Sequence, residues 1–334
     1  MKPTASRFLA LVLFATTFLV AFGRINYDGV ALTSIDVKKE PGTENIVTFS
    51  GSISGSASDK TATFLHKIKQ INDKDEDGER LFQAETLTAA EAKKIINEGG
   101  EDRNGGKPLF CIHGFTVQPG SHLKNLKNLN KKKFTKGKFL LVPIIWPTNS
   151  SDYGDNSEAA VGAGKAIKTL KKEINSFPSK SLLCHSMGAR VLRYAADAEF
   201  KFDNIFMVAA DIRHDIFHKN YIRGNDGDEK EDGLRICSML SNRNKGKVHV
   251  LYNGADYALN FSGWLPKNWI SRLGSVSNDQ EKTWWGGWRK ADLTDPEIKG
   301  SVLNKACNPH LMNKVSHSYQ FNNFAIKYYQ ENHF

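Results

Sequence analysis

A serine in the middle of the chain stands where it could act as a nucleophile. Residues 181–190 read Ser-Leu-Leu-Cys-His-Ser-Met-Gly-Ala-Arg, which predicts a buried strand, a sharp turn and the start of a helix. Ser186 falls at the turn, where a serine projects above the sheet and can attack a carbonyl carbon. The first N–H of the helix, at Met187, could donate to the oxyanion that forms.

The residues two positions before and after Ser186 bear on this interpretation. At so tight a turn they approach each other closely, so both must be small. Gly188 meets the requirement, whereas Cys184 stands where the usual pattern has glycine. Cysteine is small enough to be tolerated, but it is a departure. The alternative is a serine at an ordinary strand–helix turn, so other motifs must decide.

A second motif lies upstream of the serine. Residues 109–116 read Leu-Phe-Cys-Ile-His-Gly-Phe-Thr, a predicted strand that ends in His-Gly. Together the two motifs resemble the α/β-hydrolase superfamily, and within it an esterase-like branch. In that superfamily the loop after His-Gly supplies a second oxyanion N–H, which the resemblance assigns to Phe115 beside Met187. One predicted strand and one predicted helix separate the motifs, as in the superfamily.

The resemblance implies a histidine base near the C-terminus, because the superfamily's triad runs serine, acid, histidine. Residues 315–319 read Val-Ser-His-Ser-Tyr, and His317 lies in a short polar segment before a final amphipathic helix predicted over 319–330. Its rivals are His310, which follows a proline, and His333 in the terminal tail. We favour His317, and the alternative is a surface histidine with no partner.

Two aspartates follow predicted strands and could orient this histidine. Asp256 follows the run 248–252, the strand that usually carries the acid in the superfamily. Asp211 ends the run 204–210, one strand earlier, where some lipases of the superfamily place the acid. A buried aspartate must be paired to stay charged, so either could serve. Strand order favours Asp256, and the other would be a helix cap or turn residue.

These residues imply hydrolysis of a carboxylic ester, as in esterases and lipases, through an acyl-enzyme. His317 would take the proton of Ser186, and Asp256, or alternatively Asp211, would orient the histidine. The same triad would also permit attack on a thioester or an amide. The chemistry needs no metal or organic cofactor, and no Cys/His cluster has the spacing of zinc ligands.

The elements that must position these residues alternate from Lys107 onward. Apolar runs of strand length are separated by helix-like stretches, which predicts a mostly parallel, twisted sheet with helices on both faces, an α/β-hydrolase fold. The predicted strands are 109–112, 139–145, 181–184, 204–210 and 248–252, and the predicted helices are 157–174, 187–197 and 232–242.

The region before this core has another pattern. Residues 24–60 alternate between apolar and small polar residues, which predicts early antiparallel strands. Residues 61–71 predict a short helix. Thr88 followed by Glu91 is a capping-box pattern and predicts the start of a further helix.

Residues 1–23 predict an export signal. Lys2 and Arg7 stand near the start, and an almost entirely apolar run then extends to Gly23. A basic start, a short apolar run and small residues at its end describe a secretory signal peptide cleaved near Gly23. We therefore expect a secreted or exported protein, with an uncleaved membrane anchor as the alternative.

These predictions divide the chain into a signal peptide (1–23), leading strands and helices (24–104) and a catalytic core (105–334). A Trp-rich insertion near 261–293 holds five of the six tryptophans and lies between the acid and the base. It could overhang the cleft and bind a lipid or another hydrophobic ester. Packing of a long loop onto the body is the alternative.

Composition and charge bound the function classes. With 40% hydrophobic and 25% charged residues, the chain is neither disordered nor a polytopic membrane protein. The net charge of +10 and seven lysines between Lys124 and Lys138 suggest weak contact with an anionic surface, although such runs are more often solvated helix faces. No nucleic-acid motif accompanies them, so we expect no nucleic-acid partner. The alternative function is therefore a non-catalytic α/β-hydrolase-fold protein that binds an anionic surface or polymer.

Overall fold

The helices and strands are defined over the part of the chain that the computed structural model describes. It describes residues 25–51, 61–72, 80–98, 107–131, 139–148, 152–213, 216–217, 232–242, 245–253, 256, 258–259, 262, 272–273, 281–282, 288–289, 301–306 and 317–333. The strands are β1 Asn26–Tyr27, β2 Ala31–Thr33, β3 Lys38–Lys39, β4 Ile46–Ser50, β5 Thr63–Asn72, β6 Leu81–Leu87, β7 Lys107–Ile112, β8 Phe139–Ile145, β9 Ser181–His185, β10 Ile205–Val208, β11 Val248–Tyr252, β12 Glu281–Lys282, β13 Trp288–Arg289 and β14 Val302–Ala306. The helices are α1 Ala89–Glu98, α2 Pro119–Lys131, α3 Tyr153–Lys168, α4 Lys171–Asn175, α5 Gly188–Ala195, α6 Asp232–Ser238 and α7 Asn323–Asn332.

A twelve-stranded sheet organises the molecule, and most of it is parallel. The parallel strands run in the order β14-β11-β10-β9-β7-β8-β2. The apolar runs of β8, β9, β10 and β11 are buried on both faces, as the continuous hydrophobic pattern predicts. The predicted mostly parallel α/β fold is therefore confirmed.

Helices cover both faces of this parallel sheet. Along β7, Phe110 and Ile112 belong to the larger hydrophobic cluster, which also contains residues of α3 and α5. Leu109 and Cys111 point to the other face, into a cluster that contains residues of α2 and α7. Since successive residues of a strand face opposite sides, one strand contributes to both cores.

The strands before the parallel core extend the same sheet. β2 pairs in parallel with β8 and antiparallel with β5, and the sheet continues antiparallel through β6, β4 and β3. The predicted short helix over 61–71 is wrong, because β5 occupies these residues. Residues 66–71 alternate between buried and exposed side chains, which is the period of a strand.

The capping box predicted after β6 is confirmed. The Thr88 N–H donates to Glu91 Oε2 at 2.8 Å, and the Glu91 N–H donates to Thr88 Oγ1 at 3.3 Å. These reciprocal bonds satisfy two N–H groups that the start of α1 would otherwise leave unpaired.

Several predicted segments lie wholly or partly outside the described residues. The signal peptide at 1–23 and most of the Trp-rich insertion near 261–293 belong to this group. In the portions that are described, no helix is both long and apolar enough to cross a membrane.

Part of the lysine run lies on α2, where Lys127 Nζ contacts Asp28 Oδ2 at 2.9 Å. That lysine stabilises the fold, and contact with an anionic surface stays a prediction.

Candidate active site

The carboxyl ends of neighbouring parallel strands bring the predicted site residues to one edge of the sheet. His113 and Gly114 follow β7, and Ser186 follows β9. Asp211 comes after β10 and Asp256 after β11. Because the strands between them are parallel and adjacent, residues that are far apart in sequence meet at this edge.

Ser186 stands at a strained turn between β9 and α5. Its φ is 52°, in the left-handed region that residues other than glycine rarely adopt. Backbone hydrogen bonds hold it there. The Ser186 N–H donates to the Val208 carbonyl at 3.0 Å, and the Ser186 carbonyl accepts from the N–H groups of Ala189 and Asp211, each at 3.0 Å. The surrounding backbone thus maintains a conformation that costs free energy by itself.

Close contacts explain the glycines around this turn. A Cβ added to Gly188 would lie 2.7 Å from the His113 carbonyl oxygen, and one added to Gly114 would lie 2.8 Å from the Ser186 Cβ. Cys184, the departure from the usual pattern, is fully buried in the larger hydrophobic cluster. The turn therefore accommodates cysteine at this position.

His317 connects Ser186 with Asp256. The Ser186 hydroxyl donates to His317 Nε2 at 2.9 Å, and His317 Nδ1 donates to Asp256 Oδ2 at 2.8 Å and lies 3.0 Å from Oδ1. A carboxylate only accepts, so the proton of a neutral His317 belongs on Nδ1, which leaves Nε2 free to accept. The side chain of His317 is 26% exposed, whereas Asp256 is fully buried.

The charge around His317 favours its protonated form. Burial would lower the pKa of His317, but the negative charge of Asp256 and its hydrogen bond, with a further effect of Asp211, raise this pKa above its ordinary value. The Leu259 N–H donates to Asp256 Oδ1 at 3.1 Å and helps to hold the carboxylate in place. The histidine can therefore accept a proton beside a fixed counter-charge.

Asp211 takes part in a different network. Its carboxylate accepts from the hydroxyl groups of Tyr153 at 2.7 Å and Ser262 at 2.6 Å, and Arg272 Nε lies 3.2 Å away. Burial would raise the pKa of Asp211, but the positive charges of Arg272 and Arg190 hold it below its ordinary value. Asp211 is therefore an ionised carboxylate with its own partners.

Of the two candidate acids, Asp256 is the one that contacts His317. In the described residues no hydrogen bond joins Asp211 to His317, although its charge acts on the pKa of that histidine. Asp211 pairs instead with Arg272, which comes from the segment that follows Asp256.

The amide groups of Phe115 and Met187 lie next to this site in the chain. Neither N–H donates a hydrogen bond within the described residues. Met187 is fully buried, so an unpaired N–H there costs free energy unless a ligand accepts from it. Neither amide therefore has a hydrogen-bond acceptor in the part of the chain that the structure describes.

His113 fixes the peptide that carries the Phe115 amide. Its ring contacts the Gly114 carbonyl through Nδ1 at 3.1 Å, while Nε2 contacts the Trp146 N–H at 3.3 Å. A carbonyl only accepts, so Nδ1 bears the hydrogen and Nε2 accepts. Because the peptide is trans, the Phe115 N–H points away from the Gly114 carbonyl that His113 holds.

Of the two rival histidines, the described one, His333, is not at this site. His333 is buried at the other edge of the sheet, where its Nδ1 lies 2.7 Å from the hydroxyl of Ser181, the first residue of β9. His310 lies outside the described residues.

Some residues of the site were not identified from the sequence. They are His113, Tyr153, His185, Arg190, Ser262 and Arg272. Arg190 gave a signal, since an arginine in the helix directly after the serine needs an acidic or polar partner if it is buried. The structure supplies Ser157 Oγ at 3.0 Å and the Tyr153 hydroxyl at 2.9 Å. The other partners depend on long-range contacts that no local pattern indicates.

Among the side chains that the structure describes, no group of three or more His, Cys, Asp or Glu residues is arranged to hold a metal ion.

The similar proteins of solved structure are only distantly similar to this chain. No curated protein matches the chain. Two similar solved structures are the native and propionate-bound forms of Est2, a thermophilic esterase from the Planctomycetes species Thermogutta terrifontis. The native form is 8% identical with a TM-score of 0.32, and the match covers 89% of each chain. The propionate-bound form is 8% identical with a TM-score of 0.31, and the match covers 89% of this chain and 91% of that one.

The family model described as alpha/beta hydrolase of unknown function (DUF900) matches residues 88–305. This range is more than half of the chain. It includes Ser186 and Asp256 and ends before His317. The sheet order and the turn at Ser186 agree with the match. The chain therefore belongs to this family of α/β hydrolases.

Proposed function

We propose that this protein is a serine hydrolase that cleaves carboxylic esters through an acyl-enzyme on Ser186. The observation that carries the proposal is the position of His317, whose two ring nitrogens contact Ser186 Oγ at 2.9 Å and Asp256 Oδ2 at 2.8 Å. A base within hydrogen-bond distance of a hydroxyl, itself oriented by a carboxylate, is the arrangement that activates serine.

The first half-reaction forms the acyl-enzyme. As Ser186 Oγ attacks the carbonyl carbon, its proton moves to His317 Nε2, and the carbonyl oxygen takes up the negative charge. Asp256 stabilises the resulting imidazolium without accepting the proton itself. When the tetrahedral intermediate collapses, the alcohol leaves with the proton from His317 Nε2, and the acyl group stays on Ser186.

Water completes the cycle. His317 Nε2 takes a proton from water as the water oxygen attacks the acyl carbon. The second intermediate then releases the carboxylic acid, and the proton returns to Ser186 Oγ. The 26% exposure of the His317 side chain supports this step, because water can reach the base.

The amides of Phe115 and Met187 stabilise the oxyanion in both half-reactions. Two facts support these roles: neither amide donates a hydrogen bond in the described residues, and His113 holds the Gly114 carbonyl so that the Phe115 N–H points the other way. Fixed donors stabilise developing charge without having to reorganise, and removing one such donor typically lowers kcat about 10²–10³-fold.

Aromatic side chains beside the serine support a substrate with an apolar group. Phe115 and Tyr153 are both partly exposed, and their rings meet edge to face with 5.8 Å between centroids. The Tyr153 hydroxyl donates to Asp211, and the Arg190 guanidinium lies over the Tyr153 ring, 5.4 Å from its centroid. The aromatic rings of Phe115 and Tyr153 form an apolar surface that suits the hydrocarbon part of an ester.

A fluorophosphonate probe, which reacts with activated serines, tests the proposal. We expect wild-type protein to be labelled and Ser186→Ala to be unlabelled, while Ser241→Ala, which alters an exposed serine elsewhere, is labelled like wild type. p-Nitrophenyl esters of increasing acyl length then define the acyl preference. A folded wild-type protein that neither reacts with the probe nor cleaves any of these esters would contradict the proposed function.

We also propose that the protein is exported. The support is the sequence of residues 1–23, a basic start followed by an apolar run that ends in small residues. The intact mass of the exported chain measures the cleavage point. A mass that corresponds to a chain beginning after Gly23 is expected, and a mature chain that still begins at Met1 would indicate an anchor.

A further inference from the structure

We propose that His185, the residue before the nucleophile, is a positioning residue that fixes the base His317 through its backbone. His185 Nε2 lies 3.0 Å from the His317 carbonyl oxygen, and the two rings are tilted, with 5.0 Å between their centroids. The proposal rests on the proposed function, because it takes His317 to be the base.

The contact between His185 and His317 can affect catalysis because His185 lies directly before Ser186 in the chain. His185 is the last residue of β9, pairs with Val208 of β10 and is almost fully buried. The next residue is Ser186. Two consecutive residues, the last of β9 and the first of the turn after it, therefore act on the two partners of the 2.9 Å contact between Ser186 Oγ and His317 Nε2. Small displacements matter here, since proton transfer requires hydrogen-bond distance.

The protonation state of His185 follows from its partner. A carbonyl oxygen only accepts, so Nε2 of His185 must carry the hydrogen. Burial, followed by the charge of the neighbouring His317, lowers the pKa of His185 to about 3. His185 is thus neutral at neutral pH, and it does not repel the imidazolium that forms on His317 during catalysis.

The second ring nitrogen of His185 indicates which of the two nitrogens explains the presence of a histidine at this position. Nδ1 of His185 is buried and has no hydrogen-bond partner in the described part of the chain. A Cβ added to Gly114 would lie 3.0 Å from this atom. An unpaired buried nitrogen is costly, and a hydrocarbon side chain of similar size would avoid that cost. The Nε2–H contact with His317 is the interaction that such a side chain could not replace.

The pKa of His317 depends on how close its ring lies to Asp256, so this pKa measures whether the ring is correctly placed. The groups that face it are Asp256, Ser186 and His185, and Asp211 acts on it through its charge. Asp256 raises this pKa, whereas burial lowers it. If the backbone of His317 shifts, the contact with Asp256 weakens and the pKa of His317 falls.

Two kinds of substitution separate positioning from simple packing. His185→Leu and His185→Met remove the donor and keep an apolar side chain, whereas His185→Gln places an amide N–H near the former Nε2. With p-nitrophenyl butyrate, we expect the donor-free variants to lose up to about 10²-fold in kcat, as for a misplaced catalytic group, with little change in KM. We expect His185→Gln to recover most of that loss.

The pH dependence of kcat provides a second measurement, which a packing defect would not change. In the donor-free variants the acid limb of kcat shifts to lower pH, while in His185→Gln it stays at the wild-type position. NMR titration of the His317 ring measures the same shift without any substrate. The control is His249→Leu, which removes a buried histidine near the start of β11, bonded there to Asn204 at 3.1 Å. It should lower the melting temperature and leave kcat unchanged.

The outcomes are distinct. Donor-free variants with wild-type kcat and an unshifted His317 titration would overturn the positioning role, as would His185→Gln behaving like His185→Leu. Wild-type protein that is inert towards both the fluorophosphonate and the ester contradicts the proposed function instead. In that case the NMR titration still decides whether His185 holds His317.

Discussion

Asp256 and Asp211 are buried carboxylates at the same edge of the sheet, and they should respond differently to loss of charge. Asp256→Asn removes the counter-charge of His317, so we expect kcat to fall about 10³–10⁴-fold, as when a triad acid is neutralised. Asp211→Asn leaves the buried Arg272 without its charge partner, so we expect a loss of about 3–5 kcal/mol in the free energy of unfolding. Ester hydrolysis and urea titration of both variants measure these effects.

Each aspartate variant serves as the control for the other. The Asp211→Asn protein that stays folded should keep kcat within about tenfold of wild type, since Asp211 makes no hydrogen bond with His317 in the described residues. If Asp211→Asn abolished turnover and Asp256→Asn spared it, Asp211 would be the acid.

The same residues show how much of the candidate site could be predicted from the sequence. Ser186 and its turn were predictable because the local pattern of strand, small residues and helix occurs together with the upstream His-Gly motif. Choosing between the two acids was harder, since both follow buried strands and only the folded chain shows which one meets His317. His185 could not be identified as a partner, because its contact lies 132 positions away and depends on tertiary packing.

At the scale of elements, the parallel strands were the most predictable part. β8 and β11 have the predicted bounds, because each is a continuous apolar run. β14 was missed, since Val302–Ala306 contains Asn304 and Lys305 and forms the end of the sheet, where burial on both faces is not required. The region 61–71 was assigned to the wrong element because polar His66 and Gln70 are buried and apolar Ile71 is exposed, so the alternation of this strand is hidden in the sequence.

The junction between β9, α5 and the loop after β7 yields a prediction of its own. In an ordinary helix Gly→Ala is stabilising by up to about 1 kcal/mol. At Gly188 the new Cβ would lie 2.7 Å from the His113 carbonyl oxygen and 3.0 Å from that of Ile112, and these backbone atoms cannot move without shifting the loop. We expect Gly188→Ala to lose about 1–3 kcal/mol of unfolding free energy and much of the fluorophosphonate labelling rate.

Gly51→Ala is a matched control for this substitution. The nearest atom to a Cβ at Gly51 is 3.6 Å away, which is an ordinary van der Waals contact. Thermal unfolding and labelling of this variant should resemble wild type. Gly188→Ala protein with unchanged stability and labelling would show that the turn does not need the close approach.

At the scale of the whole molecule, buried neutral histidines are distributed through the sheet and its helices. Burial lowers the pKa of His122, His249 and His333 to about 4 and that of His185 to about 3, and it holds the pKa of His113 well below the ordinary value. Each has its ring among packed side chains and hydrogen bonds that a second ring proton would disturb. Their effects on stability therefore act in the same direction.

This common direction predicts acid lability. In the unfolded chain a histidine binds a proton near pH 6.5. In the folded protein the pKa is about 4 for His122, His249 and His333 and about 3 for His185, and the pKa of His113 lies well below its ordinary value. Between those values the unfolded state binds more protons, so the free energy of unfolding falls as the pH is lowered. The limiting slope is about 1.4 kcal/mol per pH unit for each histidine. His317 has a raised pKa and acts in the opposite sense, but it is one group against five.

Guanidinium chloride titrations at pH 7, 6 and 5 measure this slope above the range in which ordinary carboxylates titrate. We expect stability to decline steeply over this interval, and His249→Gln, which removes one such group at some distance from Ser186, to reduce the slope by about 1.4 kcal/mol per pH unit. A free energy of unfolding that is constant or increases from pH 7 to pH 5 would contradict the assignment of these histidines as neutral. If the free energy of unfolding has the same slope against pH in wild type and in His249→Gln, the acid lability comes from other groups. The buried histidines then contribute to the fold without making its stability depend on pH.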